Sequence, residues 1–266
     1  MHRDLIFDVG VHLAEDTEFY AKKGFRVVGV EAHPGLYQKA AERLRDHIAK
    51  GRVTLLKVAV AERDGPITFY ENTDQSVWGT TSREWMERNS RLGAQSNTIE
   101  VTGVRFASIL SDHGIPYYLK IDVEGADRLC LEALMEFETR PKYLSLESEK
   151  VSWRALRDEF NLLARLGYTR FKVVNQQEVP SQRCPNPARE GAYVEHRFEM
   201  GASGLFGEET PGDWIDLPAA IAEYRRIFWR YRWYGDDGLL KRFRLGRALI
   251  RRYRLRSGWY DTHAAL

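Results

Sequence analysis

The stretch Leu119-Lys120-Ile121-Asp122-Val123-Glu124-Gly125-Ala126-Asp127 decides how the chain folds, because two earlier segments are built on the same plan. Each is a short apolar run ending in an acid: Leu5-Ile6-Phe7-Asp8-Val9-Gly10 carries Asp8, and Val27-Val28-Gly29-Val30-Glu31 closes on Glu31. Apolar runs of this length, each followed by a helical pattern, read as strands of a buried parallel sheet. Ligands in such sheets bind beyond the carboxyl ends of the strands, so the three acids are expected to meet over one crevice. That placement points to a nucleotide-type cofactor.

Working outward, residues 13–23 read as a helix stopped by Gly24, with Lys22 and Lys23 in its last turn. Pro34 opens a second helix, striped by Leu36, Ala40, Leu44 and Ile48 and closed by Gly51. Val53 to Val60 reads as a third strand, and Ile67 to Tyr70 as another after the turn at Asp64-Gly65-Pro66. The polar stretch 72–97, with Asp74, Ser76, Trp78, Thr80 and Thr81, is expected to be a cofactor or substrate loop. After the strand at 117–122, Ala126, Leu129, Cys130, Ala133 and Leu134 share one helical face, so Cys130 reads as a packed thiol. Tyr143 to Glu147 and Thr169 to Val174 are expected to complete the sheet, with a helix over 154–166 between them. The prediction is an α/β, doubly wound, mostly parallel core over 1–175. An irregular insertion at 176–216 follows, read as a turn-rich connection or a lid at Gly204 to Gly207. A helical, basic C-terminal extension fills 217–266.

Composition narrows the function classes. The chain of 266 residues is 43% hydrophobic and 29% charged, the make-up of an ordinary globular protein. No run of 18 or more apolar residues is present, and Met1-His2-Arg3-Asp4 leads straight into the first strand, so neither a membrane span nor a signal peptide is expected. Two cysteines are too few for a disulfide framework or a thiolate metal site, which fits a cytoplasmic location. The net charge of +2 hides an asymmetry. Residues 225–256 hold twelve arginines and lysines against Asp236 and Asp237, a balance of +10 that leaves −8 for the rest.

The cofactor class follows from the turn after the first strand. Glu31 comes 21 residues after Gly10 and can accept hydrogen bonds from two ribose hydroxyls. A dinucleotide fingerprint would need G-x-G-x-x-G, yet the chain has Gly10-Val11-His12-Leu13-Ala14-Glu15. No close backbone approach is left for a pyrophosphate, and Glu15 adds negative charge there. S-adenosylmethionine, a sulfonium cation without phosphate, suits an acid-rich mouth better. The plain alternative is that Asp8 and Asp122 merely cap helices.

Asp8-Val9-Gly10, Val30-Glu31-Ala32-His33-Pro34, Ala59-Val60-Ala61 with Gly65 and Phe69, and above all Lys120-Ile121-Asp122-Val123-Glu124-Gly125 resemble the FkbM family of S-adenosylmethionine-dependent methyltransferases. The resemblance spans roughly residues 5–175. It implies a Rossmann-like, seven-stranded methyltransferase fold and O-methylation of a hydroxyl on a carbohydrate or secondary metabolite. Carried over by position, Asp8 and Gly10 would line the methionine side with His12, and Glu31 would bind ribose with Ala32 beside it. Ala59 and Val60 would wall the adenine, and Asp122 would face the transfer site. Val11 and Ala14 depart from the small residue and the glycine common in the family.

Methyl transfer to an alcohol needs alignment and a group to accept the proton. Candidates are Asp122, Glu124, Glu147, His12 and His263. Asp122 and Glu124 face opposite ways in strand geometry, which favours Asp122 near the cofactor unless the chain turns at Gly125. No third clustered ligand accompanies these carboxylates, so no metal is assigned. Trp259 and Tyr260 suggest that the C-terminal stretch docks back on the body, where His263 could serve as base.

Leu239, Phe243, Gly246, Ile250 and Tyr253 recur at helical spacing among arginines, an amphipathic basic helix. Its stripe packs on the enzyme, meets an anionic acceptor or a partner protein, or contacts a membrane surface peripherally. Nucleic acid is disfavoured by the acidic body. Two other readings stand beside the methyltransferase: a non-catalytic Rossmann-like scaffold acting through the basic helix, and a nicotinamide-dependent oxidoreductase.

Overall fold

The computed structural model describes residues 1–72, 79–81, 86–87, 90, 95–123, 125–149, 152–235, 238–253 and 258–266. Among the described residues, ten strands are assigned in chain order: β1 (His2–Val9), β2 (Arg26–Val30), β3 (Val53–Leu56), β4 (Ala59–Val60), β5 (Gly65–Asn72), β6 (Ser96–Val104), β7 (Pro116–Ile121), β8 (Tyr143–Glu147), β9 (Arg170–Asn175) and β10 (Tyr260–Ala265). The helices are α1 (Glu15–Lys22), α2 (Pro34–Arg43), α3 (Arg45–Ala49), α4 (Phe106–His113), α5 (Asp127–Leu134), α6 (Trp153–Arg165), α7 (Leu217–Tyr234) and α8 (Arg244–Arg252).

Seven strands form one sheet in the order β3-β2-β1-β7-β8-β10-β9. Pairs β1 with β2, β1 with β7, β2 with β3 and β7 with β8 are parallel, whereas β10 runs antiparallel to both its neighbours. Side chains alternate across the sheet, so each strand feeds two cores. One face gives Phe7, Val9, Leu119, Ile121 and Leu144 to a core closed by α4, α5, α6 and α7. Helix α6 earns its place through Leu156, Phe160 and Leu163 at helical spacing, and Ser152 caps it by accepting from the Ala155 amide at 3.1 Å. The other face gives Ile6, Tyr118 and Tyr143 to a core with Phe19 and Tyr20 of α1 and Phe206.

Phe206 belongs to the 176–216 segment, which packs over this face of the sheet. Its ring stacks on Tyr118 at 4.8 Å and meets Tyr20 and Phe25 edge-on. Beneath it, Lys23 and Glu209 form a fully buried ion pair at 2.9 Å, and the Arg189 and Glu190 amides also donate to Glu209. Both amides and the Lys23 ammonium converge on Oε1, in a site where an unpaired charge would be costly.

Three expectations are corrected. The run Val53 to Val60 divides: β3 stays in the main sheet, while β4 joins a separate three-stranded sheet, β4-β6-β5. The helix after Pro34 breaks at Leu44 into α2 and α3. Residues 217–266 are not a wholly helical appendage, because Tyr260–Ala265 slots between β8 and β9 inside the main sheet.

That insertion completes a row of polar side chains. Asp8 pairs in register with Lys120, Lys120 with Ser145, Ser145 with His263, and His263 with Lys172. All five are buried. Across five strands, on one face, the sheet therefore carries a continuous polar band under the 176–216 cover.

Candidate active site

Beyond the carboxyl end of β1 the chain turns sharply at Gly10, whose φ is +94°. The Gly10 amide donates to the Val30 carbonyl at 2.9 Å, and the Asp122 amide donates to the Val9 carbonyl at 2.8 Å. These bonds draw the ends of β2 and β7 against β1, so Glu31 and Asp122 flank the same opening. His12 (φ 53°) and Ala14 (φ 67°) both adopt left-handed backbone, a conformation that favours glycine. The turn keeps this course with alanine, not glycine, at position 14.

Beneath the turn lies an ionic cluster. The Lys120 Nζ sits 3.1 Å from Asp8 Oδ1, 3.5 Å from Asp122 Oδ2 and 3.7 Å from Asp16 Oδ2, and donates to the Gly10 carbonyl at 3.2 Å. Thr17 donates its hydroxyl to Asp8 at 2.5 Å. Asp16 receives the Ser203 amide on both carboxylate oxygens at 3.0 Å, which ties the glycine-rich loop to the floor of the site. Burial raises the Asp16 carboxyl to about 6, opposed by Lys120 and reinforced by Asp8. The same acids hold the Lys120 ammonium well above its ordinary value in spite of its burial.

Glu31 is buried, and both of its oxygens are used. Oε2 accepts the His12 amide and Oε1 the His33 amide, each at 2.8 Å. Burial raises its carboxyl, partly offset by those two donors. Each carboxylate oxygen has a second lone pair, so capacity for a diol remains. His33 caps α2 by accepting the Gly35 and Leu36 amides on Nδ1, which leaves Nε2 to donate to Glu71. Ala59 packs with Phe69, Val101 and Ala32 in a small apolar cluster, and Val60 joins the main core.

At the far side three acids stand on adjacent strand ends. Asp122 follows β7, Glu147 ends β8, and Asp261 lies opposite Glu147 near the start of β10. Asp122 is the open one, with its side chain 45% exposed. Asp261 is buried, and burial together with the charges of Asp122 and Glu147 pushes its carboxyl well above the carboxylate range.

The structure thus brings Gly10, His12, Glu31, Asp122 and Glu147 to the carboxyl ends of the strands. Asp8 does not line the opening; it is wholly buried under it, holding Lys120 and Thr17. His263 sits inside the sheet, two residues past Asp261. It is 2% exposed, and burial drives its imidazole down to about 3. The C-terminal stretch docks on the body as expected, but an imidazole this weakly basic and shut off from solvent is poorly suited to be the base, which corrects the expectation for His263. Glu124, like Asp74, Ser76 and Trp78 of the polar loop, lies outside the described residues. Among the described residues, no group of three or more His, Cys, Asp or Glu side chains is arranged to hold a metal ion.

Sequence reasoning missed Lys120, Asp16, Thr17 and Asp261. Asp16 and Thr17 looked like ordinary first-turn helix residues, and Lys120 was overshadowed by the acids of its own motif. Asp261 gave no signal, because its strand has no apolar alternation.

The sequence matches the family model described as methyltransferase FkbM domain over residues 8–170, more than half of its length. The chain belongs to the FkbM methyltransferase family. Among solved structures, this chain is similar to the methyltransferase FkbM from Methylobacillus flagellatus KT, at 16% identity and a TM-score of 0.43, over 65% of this chain and 40% of that one. The match therefore spans well under half the length of that relative. It is also similar to a precorrin-6y C5,15-methyltransferase from Geobacter metallireducens GS-15, at 15% identity and a TM-score of 0.38, over 66% of this chain and 69% of that one. No curated protein matches the chain.

Proposed function

We propose that this methyltransferase uses S-adenosylmethionine to methylate a hydroxyl of a carbohydrate or secondary metabolite. One observation carries the reading: Glu31 and Asp122 flank the Gly10 turn at one opening, with Lys120 and its acids directly beneath. The donor set fits the cofactor. A buried carboxylate with free lone pairs suits a ribose diol, and an acid-rich mouth suits a sulfonium and an ammonium group. Bound S-adenosylmethionine supplies a methyl group on positively charged sulfur.

The chain's own residues do the rest. Glu31, fixed by two amides, orients the ribose, while Ala59 and Ala32 offer an apolar wall for the base. Asp122 is the exposed carboxylate beside the transfer site, and it takes the acceptor's proton. Lys120 holds Asp122 in place from below. Glu147, next to Asp122 at the strand ends, keeps the neighbourhood anionic, which disfavours anionic acceptors close to the reacting oxygen and favours neutral hydroxyls.

Calorimetry with S-adenosylhomocysteine, followed by labelled-methyl transfer to a panel of hydroxylated carbohydrates and metabolites, tests the reading. Binding, transfer to oxygen and a large loss of turnover in Asp122→Asn with intact folding are the expected results. Absence of binding would favour the scaffold reading, which the non-glycine residues His12 and Ala14 in the turn motivate.

A further inference from the structure

We propose that helix α8 and the turn before it form a docking surface for an anionic lipid bilayer. The 3-10 turn Leu239–Arg242 packs against both α7 and α8. Gly246 seats α8 on that turn so closely that a Cβ there would lie 2.1 Å from the Leu240 carbonyl oxygen. The contact covers little else of the helix. Leu245 is 80% exposed, Leu249 46%, Tyr253 64% and the preceding Phe243 65%. Folding leaves these apolar groups in water, although they share a helical face with the seated Gly246.

The charged residues point to the partner. Between Lys241 and Tyr253 the chain carries six cations and no acid. Arg244, Arg247 and Arg251 are exposed on the face of α8 away from Leu249. Hydrocarbon-seeking side chains bordered by guanidinium groups match the two layers of a bilayer surface: apolar residues enter the acyl boundary while arginines pair with phosphates above it. The body sums to −8 against +10 in the region 225–256, so an anionic surface attracts this region and repels the rest. That asymmetry orients the molecule on the bilayer. On α7, Trp229 and Trp233 are also exposed, one turn apart with ring centroids at 5.9 Å, and indoles favour the headgroup level.

Vesicle flotation tests the proposal with the full chain. Vesicles of phosphatidylcholine alone are compared with vesicles that also contain phosphatidylglycerol, at low and high salt. The wild type should float with the anionic vesicles only and be released by salt. Leu245→Ser with Leu249→Ser, and separately Arg244→Gln with Arg251→Gln, should each lower the bound fraction by about tenfold or more. All four positions are exposed, so unchanged thermal melting confirms that the variants fold. Failure to float, equal flotation with neutral vesicles, or wild-type flotation by either double variant overturns the proposal. Binding to RNA or to an acidic protein without vesicle binding overturns it in favour of that partner.

Discussion

The backbone of Gly10 presses so closely on Asp122 that a Cβ added to Gly10 would lie 1.9 Å from the Asp122 carbonyl oxygen. Nothing larger than hydrogen fits, and the φ of +94° penalises any side chain independently. Gly10→Ala should therefore push β7 away from β1 and cost about 2–5 kcal/mol of stability. Urea unfolding measures the cost, and an unchanged midpoint would show that the contact relaxes freely. The same variant should lose S-adenosylhomocysteine binding in calorimetry.

Lys120 is the cation that permits Asp8, Asp16 and Asp122 to sit together. Lys120→Met keeps much of the volume but leaves buried acids without compensation, a change expected to cost about 3–5 kcal/mol. Denaturant midpoints at neutral pH report it. Most of the loss should be recovered when Asp8→Asn is added, because the neutral pair no longer buries an unmatched charge. Additive losses in that double variant would contradict the role given to Lys120.

His263 sets a pH dependence. Its folded-state value of about 3 lies below the ordinary 6.5, so the unfolded chain binds the proton first as pH falls. The contribution is intact above about 6.5 and is lost on acidification toward 3, at a slope of about 1.4 kcal/mol per pH unit. Asp16 acts with the opposite sign: its raised value, about 6, removes stability as pH climbs from 3.8. The clean readout is the stability of the wild type minus that of His263→Gln, measured across this range. A flat difference curve would mean that the buried ring titrates normally.

Glu31→Gln retains one acceptor for the amides of His12 and His33 but forfeits the charge offered to the ribose. S-adenosylhomocysteine affinity should fall by roughly 10- to 100-fold, the loss of a charge-assisted hydrogen bond. Thermal melting without ligand should move only a few degrees. Wild-type affinity would place the ribose elsewhere.

Removal of residues 260–265 strips the sheet of β10. The facing edges of β8 and β9 would then be exposed, inviting aggregation. Size-exclusion chromatography and far-ultraviolet circular dichroism should show a misfolded or aggregated product. A monodisperse, wild-type spectrum would mean that the two edges close on each other.

How far the sequence foretold this architecture depended on whether a strand is apolar. Strands β1, β2, β7 and β8 announce themselves because buried parallel strands are built from residues such as Ile6, Val28, Leu119 and Leu144. Their trailing acids are equally plain, and so is the crevice they frame. Strand β10 reads Tyr260-Asp261-Thr262-His263-Ala264-Ala265, with neither an apolar run nor clean alternation. Its polar groups are acceptable only because tertiary neighbours absorb them: Thr262 bonds Ser148 and Tyr224 at 2.8 and 2.7 Å, and the His263 Nδ1 reaches Thr210 at 3.5 Å. No local pattern encodes such partners. The same holds for Lys120 and Asp16, whose meaning lies in residues distant along the chain.

The late arrival of β10 also shapes biogenesis. A ribosome delivers β8 and β9 well before their shared mate, so the nascent chain holds a half-built sheet with an open slot. When residues 260–265 emerge and slide in, they fasten the α7 and α8 excursion at both ends and bring Asp261 to its place. Synthesis thus cannot yield the finished opening beyond the strand ends ahead of this strand, and a nascent chain stalled in the basic region would be a natural client for chaperones.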